Sequence, residues 1–306
     1  MRTSLRLLLV SLTLLTALHA NAQQSAPSSN AQPDVAAQAQ TEMEAAFTAA
    51  QAAMQVGPAE IKFLDQTTFK LPAGFVFVPT AESKRLLLSM GNAPGDDLLG
   101  TVFPQDEKAN WFVVARFENS GYIKDDDAKD WNADELLEGL KQGTEEANQE
   151  RVARGIPPME VIGWVEAPHY EAATHRLVWS ASTQDKNAPA DAEKGINYNT
   201  YALGREGYIS MNLVSDLSSI EAQKPIARQL LGALDYNEGK RYSDFNASTD
   251  TVAAYGLAAL VAGVGAKKLG LLAVIGAFVA KFFKVIVLTA IGAAAGIGKL
   301  LKGRHA

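Results

Sequence analysis

The longest apolar stretch of the chain lies towards its C-terminus. Residues 252–298 are almost entirely apolar, and only four lysines interrupt them. The window 271–291 is long enough to span a bilayer, which takes about 20 apolar residues. Lys281 and Lys284 lie inside this window, where a charge is costly unless its side chain reaches the headgroups or finds a partner. The pattern therefore predicts a transmembrane anchor region over 252–298, followed by a basic tail over 299–306.

A second apolar run lies at the N-terminus. It covers residues 7–18, follows two arginines and ends before the small residues Ala20-Asn21-Ala22. This three-part pattern is typical of a cleavable secretory signal, which we predict over 1–22, with an uncleaved anchor as the alternative. Residues 23–40 are rich in Gln, Ala, Ser and Pro, and they predict a flexible linker.

The charges at the two ends predict how the chain is placed in a membrane. A cleaved signal puts the middle of the chain outside the cytoplasm, whereas the tail residues Lys299, Lys302 and Arg304 favour the cytoplasmic side. One crossing satisfies both placements, while a hairpin would leave the tail outside. The expected location is the bacterial inner membrane, with the main domain on the periplasmic side.

The anchor region carries a pattern that bears on partners. Gly292 and Gly296 form a G-x-x-x-G motif, which favours close helix packing in lipid. Several lysines fall on the same helix face, so the alternatives are self-association through this face and lysines that merely reach the headgroups. The expected partners are the lipid bilayer, a second copy through the anchor, and an envelope protein.

The middle of the chain, residues 41–246, alternates between strand-like and helix-like patterns. Short β-branched and aromatic runs bounded by turn residues predict strands over 60–64, 67–71, 75–78, 111–117, 161–166, 175–182, 197–203 and 208–214. Capping signals predict helices over 42–55, 81–90, 133–153 and about 219–234. Strands grouped together with flanking helices favour an α+β fold with a mainly antiparallel sheet.

Composition excludes several functional classes. The chain has no cysteine, which rules out disulfides, Cys-ligated zinc and a thiol nucleophile. Its net charge is −6, and every acidic residue lies between Asp34 and Asp250, so an acidic middle stands between two basic ends. This distribution argues against nucleic acid as a partner.

An acidic loop is the densest charge cluster in the chain. It carries Asp125, Asp126, Asp127 and Asp130. Carboxylates at this density are typical ligands of Ca²⁺ or Mg²⁺, but the EF-hand pattern fails because Glu135 stands where glycine is needed. The same acids also favour the N-terminus of the following helix through its dipole. We therefore weigh a cation site, which with His175 could serve a metal-dependent or carboxylate-based hydrolase, against a solvated cap.

Polar side chains on the predicted strands form a second candidate site. Asn197, Asn199 and Arg205 lie on or beside neighbouring strands and could line a ligand groove, or simply form a wet sheet face. The chain has no G-x-S-x-G, no P-loop and no G-x-G-x-x-G motif. We therefore expect a non-enzymatic binding or interaction module with no cofactor, and keep the envelope hydrolase as the alternative.

A set of short motifs links the chain to a known family. They include Leu71-Pro72-x-Gly74-Phe75, Gly121-Tyr122-Ile123-Lys124-Asp125-Asp126-Asp127-Ala128, His175-Arg176-Leu177-Val178-Trp179, Leu203-Gly204-Arg205-Glu206-Gly207 and Arg241-Tyr242-Ser243-Asp244-Phe245. On these motifs the chain resembles, over about 57–263, the membrane-anchored bacterial proteins grouped as domain of unknown function 2167. The resemblance implies a signal, an exported domain and a C-terminal anchor, and it implies no catalytic residues.

Overall fold

The computed structural model describes residues 32–106, 108–153, 155–189 and 191–262. Within these ranges the chain forms eleven strands and five α-helices. The predicted signal over 1–22, the tail over 299–306 and the anchor region beyond residue 262 lie outside the described residues.

One large antiparallel sheet dominates the described part of the chain. Its eight strands, in spatial order, are β1 (Gln55–Val56), β4 (Phe75–Pro79), β5 (Leu98–Pro104), β6 (Phe112–Glu118), β10 (Tyr208–Asp216), β9 (Gly195–Leu203), β8 (Arg176–Asp185) and β7 (Met159–Glu171). A smaller antiparallel sheet consists of β11 (Leu234–Tyr236), β3 (Thr67–Leu71) and β2 (Ala59–Phe63). The predicted α+β class with a mainly antiparallel sheet is confirmed.

Helices flank the large sheet. They are α1 (Gln32–Ala53), α2 (Thr80–Ser89), α3 (Ala133–Ala153), α4 (Ile220–Gly232) and the single turn α5 (Ala259–Ala262). Helix α1 begins at Gln32, inside the segment predicted as a flexible linker over 23–40. Its run of Ala, Gln, Glu and Met consists of strong helix formers. A composition rich in Gln and Ala is therefore as compatible with a helix as with a flexible linker.

Strand β5 is absent from the sequence-based prediction. Gly100 interrupts its apolar run and has a φ of +156° beside a shift in register between β5 and β6. A Cβ at this position would lie 2.5 Å from the carbonyl oxygen of Val78, so glycine lets the neighbouring strand approach. Gly100 breaks the apolar run that would otherwise predict β5. In the fold, its lack of a side chain allows β5 to pair with β4.

One face of the large sheet is covered by α4 and the small sheet. Met211 and Leu213 of β10 share a hydrophobic cluster with Leu230 of α4 and Phe69 of β3. The buried positions of α4 recur at helical spacing, at Ile220, Gln223, Ala227, Leu230 and Leu231. Burial of each large apolar side chain contributes roughly 2 kcal/mol, so this layer is a principal part of the core.

The opposite face is covered by α3 and by the last described residues. Leu140 of α3, Trp179 of β8 and Tyr201 of β9 share a cluster with Leu257 and Leu260. Residues 252–262, which the apolar pattern places at the start of the anchor region, thus contribute side chains to the folded domain. In the part of the chain that the structure covers, no helix is both long and apolar enough to cross a membrane.

Candidate functional site

The acidic loop is paired with a stretch that we call the C-terminal segment, residues 246–262. The amide of Tyr122 donates to the carbonyl oxygen of Thr251 at 2.8 Å, and the amide of Ala253 donates to that of Tyr122 at 2.9 Å. These two bonds form a parallel bridge between Tyr122 and Val252. The backbone that carries the aspartates is therefore fixed to the segment leading towards the C-terminus.

Asp127 is used inside this junction. Its carboxylate accepts hydrogen bonds from the backbone amides of Leu257 and Ala258, at 3.1 and 2.9 Å. These two amides lie at the N-terminal end of α5, where backbone amides have no acceptor within the helix. By contrast, Asp126 and Asp130 are exposed. The four aspartates of the loop thus face different surroundings and form no shared carboxylate cluster.

Asp125 and His175 come together around a tyrosine. The Tyr170 hydroxyl donates to Asp125 Oδ2 at 2.7 Å and lies 3.2 Å from His175 Nδ1, while Asp125 Oδ2 and His175 Nδ1 are 3.9 Å apart. The imidazole stacks on Tyr242 with ring centroids 4.1 Å apart. Burial, and then the hydrogen bond to Asp125, raise the pKa of Tyr170, so the phenol keeps its proton and acts as a donor.

This trio limits the chemistry that the acidic loop can perform. The carboxylate and imidazole are both about 30% exposed, and Tyr170 lies between them, donating to Asp125 and within hydrogen-bond distance of His175. Among the described residues, no group of three or more His, Asp or Glu side chains is arranged to hold a metal ion. The predicted neighbours Asp125 and His175 are therefore brought together, in a hydrogen-bonded cluster anchored by aromatic stacking.

Arg205 lies in a different place from the predicted groove. Its Nε and Nη2 donate to the two carboxylate oxygens of Asp250 at 2.6 and 2.8 Å, and its Nη1 donates to the carbonyl oxygen of Gly239 at 3.2 Å. The guanidinium, together with a backbone amide from Asn246, holds the pKa of Asp250 well below its usual range. Arg205 thus fastens the C-terminal segment through Asp250, while its third donor binds the backbone at Gly239.

Asn197 and Asn199 line a cavity between α3 and the large sheet, which we call the α3 cavity. Its volume is about 50 Å³, and its walls include Thr144 and Arg151 of α3 and Asn212 of β10. The structure therefore places the two predicted asparagines, which lie two residues apart on β9 and share one sheet face, on a common wall. The predicted third member, Arg205, is not among the lining residues.

Arg151 is the most unusual group in this cavity. The residue is only 5% exposed, its Nε donates to the carbonyl oxygen of Pro157 at 2.9 Å, and its buried Nη1 has no hydrogen-bond partner among the described residues. Burial lowers the pKa of Arg151, although the nearby charge of Asp185 opposes this effect. Since an arginine remains charged, the α3 cavity contains a buried cation that no described carboxylate pairs within 4.0 Å.

The other polar groups that line the cavity differ in whether they have ion-pair or hydrogen-bond partners. Arg116, the second arginine on the wall, is paired with Asp97 at 3.0 Å and is therefore neutralised. The side-chain oxygens of Asn197 and Asn212 are buried, and no residue in the described part of the chain donates to them. Buried polar atoms are nearly always hydrogen-bonded, and three atoms without a described partner belong to side chains that line this one cavity, which makes it the candidate site.

Sequence reasoning missed Arg151 and Asn212. The only signal for Arg151 is its helical spacing from Leu136, Leu140, Thr144 and Asn148, which the structure shows to be the buried positions of α3. This signal is weak, because a basic residue in the last turn of a helix is ordinary. Asn212 gives no such signal, since an asparagine on a strand is ordinary on a wet sheet face.

Fold and site together define an α+β domain with a polar cavity between helix α3 and its large antiparallel sheet. The chain belongs to the family described as "Protein of unknown function (DUF2167)", whose model matches residues 55–292. The chain is also similar to the solution structure of cyanobacterial PsbP (CyanoP) from Synechocystis sp. PCC 6803, with 10% identity, a TM-score of 0.36, and coverage of 61% of this chain and 94% of that chain. No curated protein matches.

Proposed function

We propose that this protein is a non-enzymatic binding module of the bacterial envelope that takes a small polar ligand into the α3 cavity. The observation that carries the proposal is the group of buried, unpaired polar atoms on Arg151, Asn197 and Asn212. Each buried polar atom without a partner costs about 1–3 kcal/mol. A bound ligand that supplied the missing partners would recover that cost as binding free energy.

The proposal includes attachment to the inner membrane through the C-terminal region. It is supported by the apolar window 271–291 and the basic tail 299–306, which together are typical of a single span with a cytoplasmic end. The binding domain would then lie on the periplasmic side, where it meets small solutes that have passed the outer membrane.

Native mass spectrometry of the full chain, purified from cells in detergent, tests the binding role. Ala147 lines the α3 cavity, so Ala147→Leu fills the space that a ligand would occupy. We expect the wild-type chain to carry a small-molecule adduct that Ala147→Leu lacks. The matched control is Ala153→Leu, the same substitution at an exposed position of the same helix, which should keep the adduct.

The binding proposal is contradicted by either of two results. One is a wild-type chain that carries no adduct and whose melting temperature no small polar solute raises. The other is an adduct that Ala147→Leu retains as fully as Ala153→Leu, because the ligand would then lie elsewhere.

A further inference from the structure

We infer that the ligand of the α3 cavity is a small carboxylate with a hydroxyl or amino group of its own, and that Arg151 binds the carboxylate. The inference rests on the proposed binding function and specifies its ligand class. It follows from the charge of the cavity, from the kind of atoms left unpaired and from the size of the space.

The positive charge of the cavity favours an anionic ligand. Two arginines line it, and Asp97 neutralises Arg116 with two hydrogen bonds at 3.0 and 3.2 Å. Arg151 keeps its charge, and Asp185, the carboxylate whose charge acts on it, makes no ion pair with it among the described residues. A guanidinium binds carboxylates through a planar pair of N–H groups, and such bonds are about twice as strong as neutral ones.

The remaining unpaired atoms call for a donor on the same ligand. The side-chain oxygens of Asn197 and Asn212 accept hydrogen bonds and cannot bind a carboxylate. A ligand that offered only a carboxylate would satisfy Arg151 and leave both amide oxygens unpaired. A hydroxyl or amino group next to the carboxylate supplies the donor that they lack.

The volume of the cavity limits the ligand to a few heavy atoms. One water needs roughly 10–15 Å³ of such space, so about 50 Å³ accommodates only a few positions of that size. Hydroxy- and amino-carboxylates of two to four carbons fit this limit. Apolar walls from Leu140, Met159 and Val161 border the same space and leave room for a short hydrocarbon part.

Glycolate and its neutral amide, glycolamide, are suitable probes, because they share a hydroxyl and a size and differ in charge. The full chain in detergent is titrated with each by calorimetry, and its melting temperature is recorded at the same concentrations. We expect glycolate to bind at least ten-fold more tightly than glycolamide and to raise the melting temperature, since a ligand that binds the folded state stabilises it.

Two variants test the role of Arg151 by different routes. Arg151→Met removes the charge, and we expect it to weaken glycolate binding at least ten-fold while binding of glycolamide is unchanged. Asn197→Asp places a carboxylate inside the cavity, and should weaken glycolate binding as strongly by competing for Arg151. Arg85→Met is the matched control, because Arg85 pairs with Glu42 at the surface, and it should bind glycolate as the wild type does.

The possible outcomes distinguish failure of this inference from failure of the proposed binding function. Preference for glycolate that both Arg151→Met and Asn197→Asp abolish supports the inference, and Asn197→Asp decides alone if Arg151→Met does not fold. Equal binding of glycolate and glycolamide overturns the inference but supports a cavity for polar ligands. Binding of neither probe overturns the inference, and the adduct measured by mass spectrometry then decides the binding proposal separately.

Discussion

Gly256 and Asp127 show how closely single residues define the junction at the acidic loop. A Cβ on Gly256 would lie 2.5 Å from Asp127 Oδ2 and 3.0 Å from its Cγ. The absence of a side chain therefore allows the carboxylate to reach the amides of Leu257 and Ala258. The sequence identified Asp127 as a candidate ligand, whereas the fold uses it as an acceptor for backbone amides.

We expect Gly256→Ala to destabilise the protein by roughly 1–3 kcal/mol, because it displaces the Asp127 carboxyl group from two partly buried hydrogen bonds. The measurement is the free energy of unfolding of the full chain in urea. Gly163→Ala is the control, since a Cβ at Gly163 meets no atom of the described ranges within 4 Å. Equal losses in the two variants would show that the contact with Asp127 does not matter.

The C-terminal segment is the element whose role differs most from its sequence pattern. Its apolar residues resemble the start of a membrane span, yet Leu257, Leu260 and Val261 are buried in the domain. A short apolar run has the same composition whether protein or lipid covers it, so hydrophobicity alone cannot distinguish the two. The hydrogen bonds of Asp127 and Asp250 hold this segment on the domain. Their partners are far away in the sequence, so the local apolar pattern cannot show them.

The Arg205–Asp250 pair predicts an acid-sensitive element. A carboxyl whose pKa is lowered by folding stabilises the protein above its unfolded-state pKa of about 3.9, and that stabilisation is lost as the pH falls through the lower folded-state value. We therefore expect wild type to melt higher than Asp250→Asn by a constant margin from pH 8 to pH 5. Below about pH 4 the margin should shrink.

Melting curves of the full chain at each pH provide the measurement. Asp96→Asn is the control, because Asp96 is a fully exposed partner of Lys84 and its replacement should change the melting temperature little at any pH. A margin for Asp250→Asn that stays constant down to pH 2.5 would mean that Arg205 does not stabilise the fold through this carboxylate.

At the scale of the whole molecule, the sequence predicted the fold class better than the site. Alternating residues such as Tyr198, Asn199 and Thr200 identified β9 because a strand places neighbours on opposite faces. The same pattern could not show that α3 covers one of those faces, which turns Asn197 and Asn199 from surface groups into cavity walls. Local periodicity predicts elements, whereas the site arises from how distant elements pack.

The predicted membrane placement of the whole chain can be tested with single cysteines, because the chain has none of its own. Asp96→Cys lies at a fully exposed position of the domain, and His305→Cys lies in the tail. In cells with a permeabilised outer membrane, we expect an impermeant maleimide to label Asp96→Cys at once and His305→Cys only after lysis. Early labelling of both positions would contradict a single crossing, and late labelling of both would contradict export.

Helix α3 has two sides with different neighbours. One side, with Thr144 and Arg151, roofs the cavity, and the other meets Ala262, whose Cβ lies 3.1 Å from the position of a Cβ on Gly139. The chain continues from Ala262 towards the predicted anchor. A pull on the chain beyond Ala262 would therefore reach α3, which covers the cavity, through the packing of α5 on this helix. Mechanical load at the point of attachment and retention of the occupant would then be linked.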